Sequence, residues 1–257
     1  MNIVSSISNA WEKWKNAGMV KKKQTNEEQK NVLQEEIQML VLQSQINPHF
    51  LYNTLEAIRS EALINDQHDL ADMIESLGLF FRYNISQKGK QVTLREEIYS
   101  IENYFKIQKY RFDDRINLQI YCSKDEYLNY RMPKLVLQPI VENCIYHGLE
   151  PKLGKGKVKI NIWATTQRLI IEVSDDGVGI ENSKLTEMKK KILKSIIEPE
   201  INLLQDNVLR DYGGIALRNV NQRIKLYFGM EYGLQIESYP GLGTDIEISL
   251  PLIDRDR

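Results

Sequence analysis

Two runs of helical periodicity, the first carrying a proline in its interior, most restrict what this chain can become. Residues 24–65 read as one long helix, and Pro48 falls inside it. Proline removes a backbone donor and crowds the preceding turn, so the helix is expected to kink there. His49 follows directly, in the stretch Gln43-Ser44-Gln45-Ile46-Asn47-Pro48-His49-Phe50-Leu51-Tyr52-Asn53, and is expected on an opened, accessible turn. An imidazole titrating near ~6.5 in water is largely neutral at cell pH and can act as a nucleophile. Ahead of it Leu33, Ile37, Leu40 and Ser44 alternate steps of four and three, a coiled-coil-like seam. After a polar break at residues 65–69, a second helix is predicted to about residue 88, with Leu70, Met73, Ile74, Leu77, Phe80 and Phe81 on its buried face. Two antiparallel helices cannot bury both stripes alone. A homodimer pairing two hairpins into a four-helix bundle is the expectation. His68 is placed in the connecting loop, where it is simply solvated.

A chain of 257 residues suffices for one large or two ordinary domains, and 42% hydrophobic with 27% charged residues is a soluble, globular balance. The net charge of −1 gives no reason to expect nucleic acid or an anionic membrane as partner. Cys122 and Cys144 make no disulfide framework, which points to a reducing compartment and two buried, unreactive thiols. No run of 18 apolar residues is present to span a bilayer, and no signal-peptide pattern opens the chain. Residues 1–23 place Ile3, Ile7, Trp11 and Trp14 at helical spacing beside several lysines. That segment is either an interfacial helix on a membrane, or a helix on its own dimer partner, or a tail.

Gly89 is expected to close the second helix. Thr93-Leu94-Arg95-Glu96 is a capping-box pattern that opens a helix to about Phe112. Residues 116–121 alternate as a strand, and Pro133 is expected to start the next helix. That helix carries Asn143 on an otherwise apolar face, where an amide needs a polar partner. His147, four residues on, shares its face and either contacts a phosphate or water or simply packs. Strand-like runs at 157–163 and 169–174 lead into Asp175-Asp176-Gly177-Val178-Gly179-Ile180, where glycines allow a sharp turn and a close approach to a ligand. Residues 181–212 read as a long, charged connection of the functional or mobile kind. Asp211 to Val220 then reads as a glycine-rich loop, Gly213-Gly214, opening a helix whose N-terminal amides suit phosphates. Arg218, Asn219 and Arg223 either touch those phosphates or are solvated. Two last strands, 234–238 and 244–250, flank Gly241-Leu242-Gly243-Thr244. No G-x-x-x-x-G-K-[ST] motif is present, which excludes a P-loop enzyme, and no Cys/His spacing suggests zinc.

Taken together, Leu42 to Asn53, Asn143, Asp175 to Gly179 and Gly241 to Thr244 resemble the LytS/YesM-type sensor histidine kinases over roughly residues 30–252. The resemblance implies an α+β chain. A helical hairpin at 24–90 forms the dimeric four-helix bundle and carries the phospho-accepting His49. A GHKL (Bergerat-type) α/β sandwich with a mixed sheet, at 91–257, binds ATP. It also implies that Asn143 is a Mg²⁺ ligand, that Asp175 accepts the adenine amino group, that His147, Gly177, Gly179, Gly213, Gly214, Leu217, Gly241, Gly243 and Thr244 belong to the ATP site, and that the ATP lid lies in 181–212. Alanine stands at residue 216 where the family has a further glycine. The expected activity is ATP-dependent autophosphorylation of His49, then transfer to an aspartate on the receiver domain of a response regulator. A cytoplasmic location is expected, with any membrane sensor portion outside this chain. Phe50 stands where many histidine kinases carry an acid after the histidine, so Asn53 is the nearest polar group to orient His49, with Glu96 and Glu97 more remote. Two rival readings are a GHKL ATPase and a nucleotide-binding dimer that signals by shape. ATPases of this kind place a water-activating Glu four residues before the magnesium Asn; Pro139 occupies that position.

Overall fold

The computed structural model describes residues 48–85, 91–194 and 212–252. The chain divides into two compact units, Met1–Leu51 and Tyr52–Arg257. The readings of residues 1–23, of the seam before Pro48, of the kink at Pro48 and of the stop at Gly89 lie outside the described residues.

Helices α1 (Pro48–Ile64) and α2 (His68–Ile85) form the hairpin. His68 is the first residue of α2 and not a loop residue, because the connection needs only three residues, with Asp66 at a φ of 56°. It is exposed, as a solvated histidine should be. Within the hairpin Ala62, Ala71 and Ile74 are buried, with Leu55, Leu70 and Met73 packed around them. Farther along α2, Phe80 stacks on Tyr104 at 5.3 Å between ring centres and joins the main core.

Strand β1 (Gln91–Thr93) leads into α3 (Leu94–Arg111), and the capping box is present in full. The Glu96 amide donates to Thr93 Oγ1 at 3.3 Å, and the Thr93 amide donates back to Glu96 Oε2 at 2.6 Å. Thr93→Ala is expected to cost about 1 kcal/mol, a lowering of the melting temperature by roughly 2–4 °C in thermal unfolding.

After β2 (Ile116–Cys122) and a 3₁₀ turn (Asp125–Asn129) comes β3 (Arg131–Pro133). Pro133 therefore ends a strand instead of starting a helix. It pairs with Gln91 in the two-stranded β1–β3 ribbon, and Leu135 at φ 62° turns the chain away from helical geometry. Helix α4 (Gln138–Asn143) starts later, with Pro139 in its first turn, and continues as a π-helical turn from Cys144 to Leu149.

Strands β4 (Gly156–Ala164), β5 (Arg168–Asp175), β6 (Gly233–Tyr239) and β7 (Gly243–Pro251) complete a five-stranded sheet ordered β2-β4-β5-β7-β6. The β2–β4 pair is parallel and the others antiparallel, so the sheet is mixed, as expected. Val158, Ile160 and Ile162 alternate with less buried neighbours on β4, as do Ile246, Ile248 and Leu250 on β7. One face is thus core and the other faces water, the arrangement of a two-layer sandwich. Residues 181–212 are not simply a connection. Their first part is helix α5 (Asn182–Lys194), which buries Leu185, Met188 and Ile192. Helix α6 (Tyr212–Phe228) follows, so Gly213 and Gly214 lie inside its first turn and not in a loop before it.

Of the two thiols, only Cys144 is buried; Cys122 is half-buried, and its thiol donates to the Lys124 carbonyl at 3.1 Å. Burial pushes both thiols above their ordinary pKa, which keeps them protonated and unreactive.

Candidate functional site

The site grows out of glycine turns that interlock behind one carboxylate. Asp175 ends β5 and is 8% exposed. Its Oδ1 accepts the Gly177 amide at 2.8 Å. The turns approach so closely that no side chain fits between them. A Cβ on Gly177 would lie 2.4 Å from the Gly148 backbone, and one on Gly243, at φ 112°, would lie 1.9 Å from the Asp175 carbonyl oxygen. Ser238 ties the same turns together: its hydroxyl accepts the Ile180 amide at 2.9 Å and donates to the Gly243 carbonyl at 2.8 Å. Asp176 faces elsewhere, accepting the Lys157 amide at 2.7 Å and pairing with Lys152 at 3.0 Å.

In front of Asp175 lies a cavity of about 290 Å³, near the lower end of the roughly 300–1,000 Å³ common for small-molecule sites. Asn143, His147, Asp175, Gly179, Leu217 and Thr244 line it, and so does Gly214. Gly177, Gly241 and Gly243 do not: the first and last shape the turns behind it, and Gly241 tops the β6–β7 hairpin at φ 80° with open space around it. Gly213 falls in the first turn of α6. His49 and Asn53 lie in α1, both exposed, His49 in the first compact unit and the cavity in the second.

Burial raises the Asp175 carboxyl to about 6, against the pull of the Gly177 amide and the Cys144 thiol that stabilise its ionised form. At neutral pH it is a buried hydrogen-bond acceptor facing the cavity. Asn143 reaches the same cavity from the end of α4, and its amide Nδ2 is buried with no protein partner among the described residues. An unpaired buried donor is costly, which makes Asn143 an anomaly at the wall of the cavity. No group of three or more His, Cys, Asp or Glu that would hold a metal alone exists among the described residues. A lone amide fits Mg²⁺ only when phosphates and waters supply the other ligands, as that ion prefers.

Sequence comparison decides the family. Residues 37–116 match the model described as "Histidine kinase", and residues 129–254 match "Histidine kinase-, DNA gyrase B-, and HSP90-like ATPase". The chain belongs to the histidine kinase family. Sensor histidine kinase YesM of Bacillus subtilis (strain 168) is 36% identical over 223 residues, covering 87% of this chain and 35% of that protein. Sensor histidine kinase YpdA of Escherichia coli (strain K12) is 36% identical over 225 residues, covering 87% and 36%. The chain thus spans about a third of the length of these relatives. Among solved structures, the histidine kinase domain of the Erythrobacter litoralis EL346 blue-light activated histidine kinase aligns with a TM-score of 0.42 at 15% identity, covering 86% of this chain and 94% of that one.

Of the three residues read as either phosphate contacts or solvated side chains, none lines the cavity. Arg223 does not point to the cavity: its Nη1 donates to the carbonyls of Lys134 and Leu135 at 2.8 and 2.7 Å. Arg218 and Asn219 do not line the cavity either. Glu96 is engaged in the Thr93 cap, and Glu97, fully buried, accepts backbone amides. The site also contains residues the sequence reading passed over. Lys184 and Met188 of α5 line the cavity. Leu185, Met188 and Ile192, at steps of three and four, carried the helical signal that reveals them.

Proposed function

We propose that this chain is the kinase portion of a two-component sensor, transferring the γ-phosphoryl group of ATP to His49 and from there to an aspartate of a response regulator. The observation that carries the reading is the buried, ionisable Asp175 in a cavity that Asn143 also lines. Asp175 accepts the hydrogen bond of the adenine amino group. Asn143 offers its amide oxygen to the magnesium end of the nucleotide, with His147 and the first turn of α6 beside it. Bound Mg²⁺ supplies charge compensation for the phosphates. A neutral ring nitrogen of His49 donates its electron pair to phosphorus as the P–O bond to ADP breaks. The leaving electron pair stays on ADP, and the imidazole sheds its surplus proton to solvent. Catalysis on this scheme is mostly positioning. Asn53, four residues along α1, is the polar side chain we assign to orienting His49.

The division of labour belongs to the same proposal: 1–23 as an N-terminal helix or tail, 24–90 for dimerisation and phosphotransfer, 91–257 for ATP binding. Exposed Ile58, Leu63 and Ile64 on α1 support a homodimer, because a hairpin whose own buried core is Ala62, Ala71 and Ile74 leaves them uncovered. No described helix is long and apolar enough to cross a membrane. A sensor portion beyond this sequence and a cytoplasmic site of action complete the reading.

The test is transfer of labelled γ-phosphate from Mg-ATP to the protein. Label that is acid-labile and base-stable is the expected result. Tight nucleotide binding without any such label would move the chain to the class of nucleotide-binding signalling modules.

A further inference from the structure

The fully buried carboxylate of Glu97 has no part in the scheme above. It gathers three successive backbone amides: Leu135 at 2.6 Å on Oε1, and Val136 and Leu137 at 3.1 and 2.9 Å on Oε2. Consecutive amides of this kind form an anion-binding concavity, here filled by the protein's own side chain. A fourth donor, the Tyr83 hydroxyl near the end of α2, binds Glu97 Oε1. Lys134, the first residue of the turn, donates to the Tyr83 carbonyl and lies over the Tyr83 ring at 4.6 Å. Arg223 of α6 donates to the Lys134 and Leu135 carbonyls of the same turn. Leu135 stands at φ 62°, so the turn has a conformation that a non-glycine residue keeps only when its surroundings impose it.

This one turn therefore touches three elements. It is clasped by α2, it is pinned to α6, whose Gly214 and Leu217 line the cavity, and it runs directly into α4, which carries Asn143. We propose that Tyr83 and Glu97 are positioning residues: through the 134–137 turn they make the phosphate and magnesium end of the nucleotide site depend on the position of α2. The inference rests on the nucleotide reading of the cavity and adds the route by which the helical hairpin regulates it. Asp175 sits at the end of β5 and is held by Gly177, so the adenine end is outside the clasp. The two ends of one ligand should then respond differently.

The test is Tyr83→Phe in the full chain, which removes one hydroxyl and leaves the three amide bonds of Glu97 and the ring under Lys134. Coupling between sites commonly amounts to about 5- to 150-fold in affinity. We expect Mg-ATP affinity to fall by about 10-fold while adenosine affinity stays within about twofold. In the protein without nucleotide, amide hydrogen exchange at Gln138–Leu149 should accelerate over wild type, and exchange at Gly177 and Gly179 should not. Equal loss of ATP and adenosine affinity, or unchanged exchange along Gln138–Leu149, would overturn the assignment. A wild-type chain that binds no nucleotide would sink the function reading instead, and the exchange rates would still decide the clasp.

Discussion

Replacing His49 with glutamine is expected to reduce acid-labile phosphoryl label to background while leaving Mg-ATP affinity unchanged. Glutamine is of similar length and polarity, but its amide nitrogen has no basic lone pair to attack phosphorus. His49 is exposed in the first turn of α1, and exposed substitutions away from special features usually stay within about 0.5 kcal/mol. Asn143, Asp175 and Thr244, which line the cavity, are left untouched by the substitution. The measurement is γ-phosphate transfer run beside an ATP-binding titration and a melting curve. Residual acid-labile label on the variant would place the acceptor on another residue, for which His68 and His147 are the remaining histidines.

Much of the fold was legible because it rests on local rules. The Thr93–Glu96 capping box is four residues of sequence and one turn of structure. Strands β4 and β7 follow period-two burial over most of their length. What escaped depends on partners far away in the chain. Pro133 reads as a helix start until Gln91 is placed opposite it in a ribbon. Glu97, read only as a remote candidate to orient His49, is buried by amides that lie 38 to 40 residues later in the chain. Arg223 reads as either a phosphate contact or a solvated side chain until the 134–135 carbonyls arrive. In the site itself, Asn143 stood out as an amide in an apolar helix, and Asp175 through the resemblance of its glycine box and its order after that helix; both line the cavity. Lys184 was not, because a lysine in a charged stretch is no anomaly at all.

Asp175→Asn should divide stability from function. The carboxyl titrates at about 6 in the folded chain, chiefly through burial, against roughly 3.9 for an ordinary aspartate. A raised folded pKa means the native state holds the proton more tightly than the unfolded chain does. Its contribution is fully present below about pH 4 and is lost as pH rises through about 6, which leaves the ionised carboxylate destabilising at pH 7.5 by roughly 2–3 kcal/mol. Asparagine keeps an oxygen for the Gly177 amide and has no charge to desolvate. The free protein should therefore gain about 1–2 kcal/mol over wild type at pH 7.5, and the gain should vanish near pH 5. Nucleotide affinity should fall by about 100-fold or more, because the one remaining acceptor is already used and the new amide donor meets the donor of the base. Wild-type ATP binding should itself weaken as pH drops below about 6, when Asp175 protonates. Urea unfolding at the two pH values, paired with ATP titrations, reads all three. A variant that is less stable at both pH values, or that binds ATP as tightly as wild type, would remove Asp175 from the adenine site. Binding lost with stability gained is the signature of a charge kept in the core for its ligand.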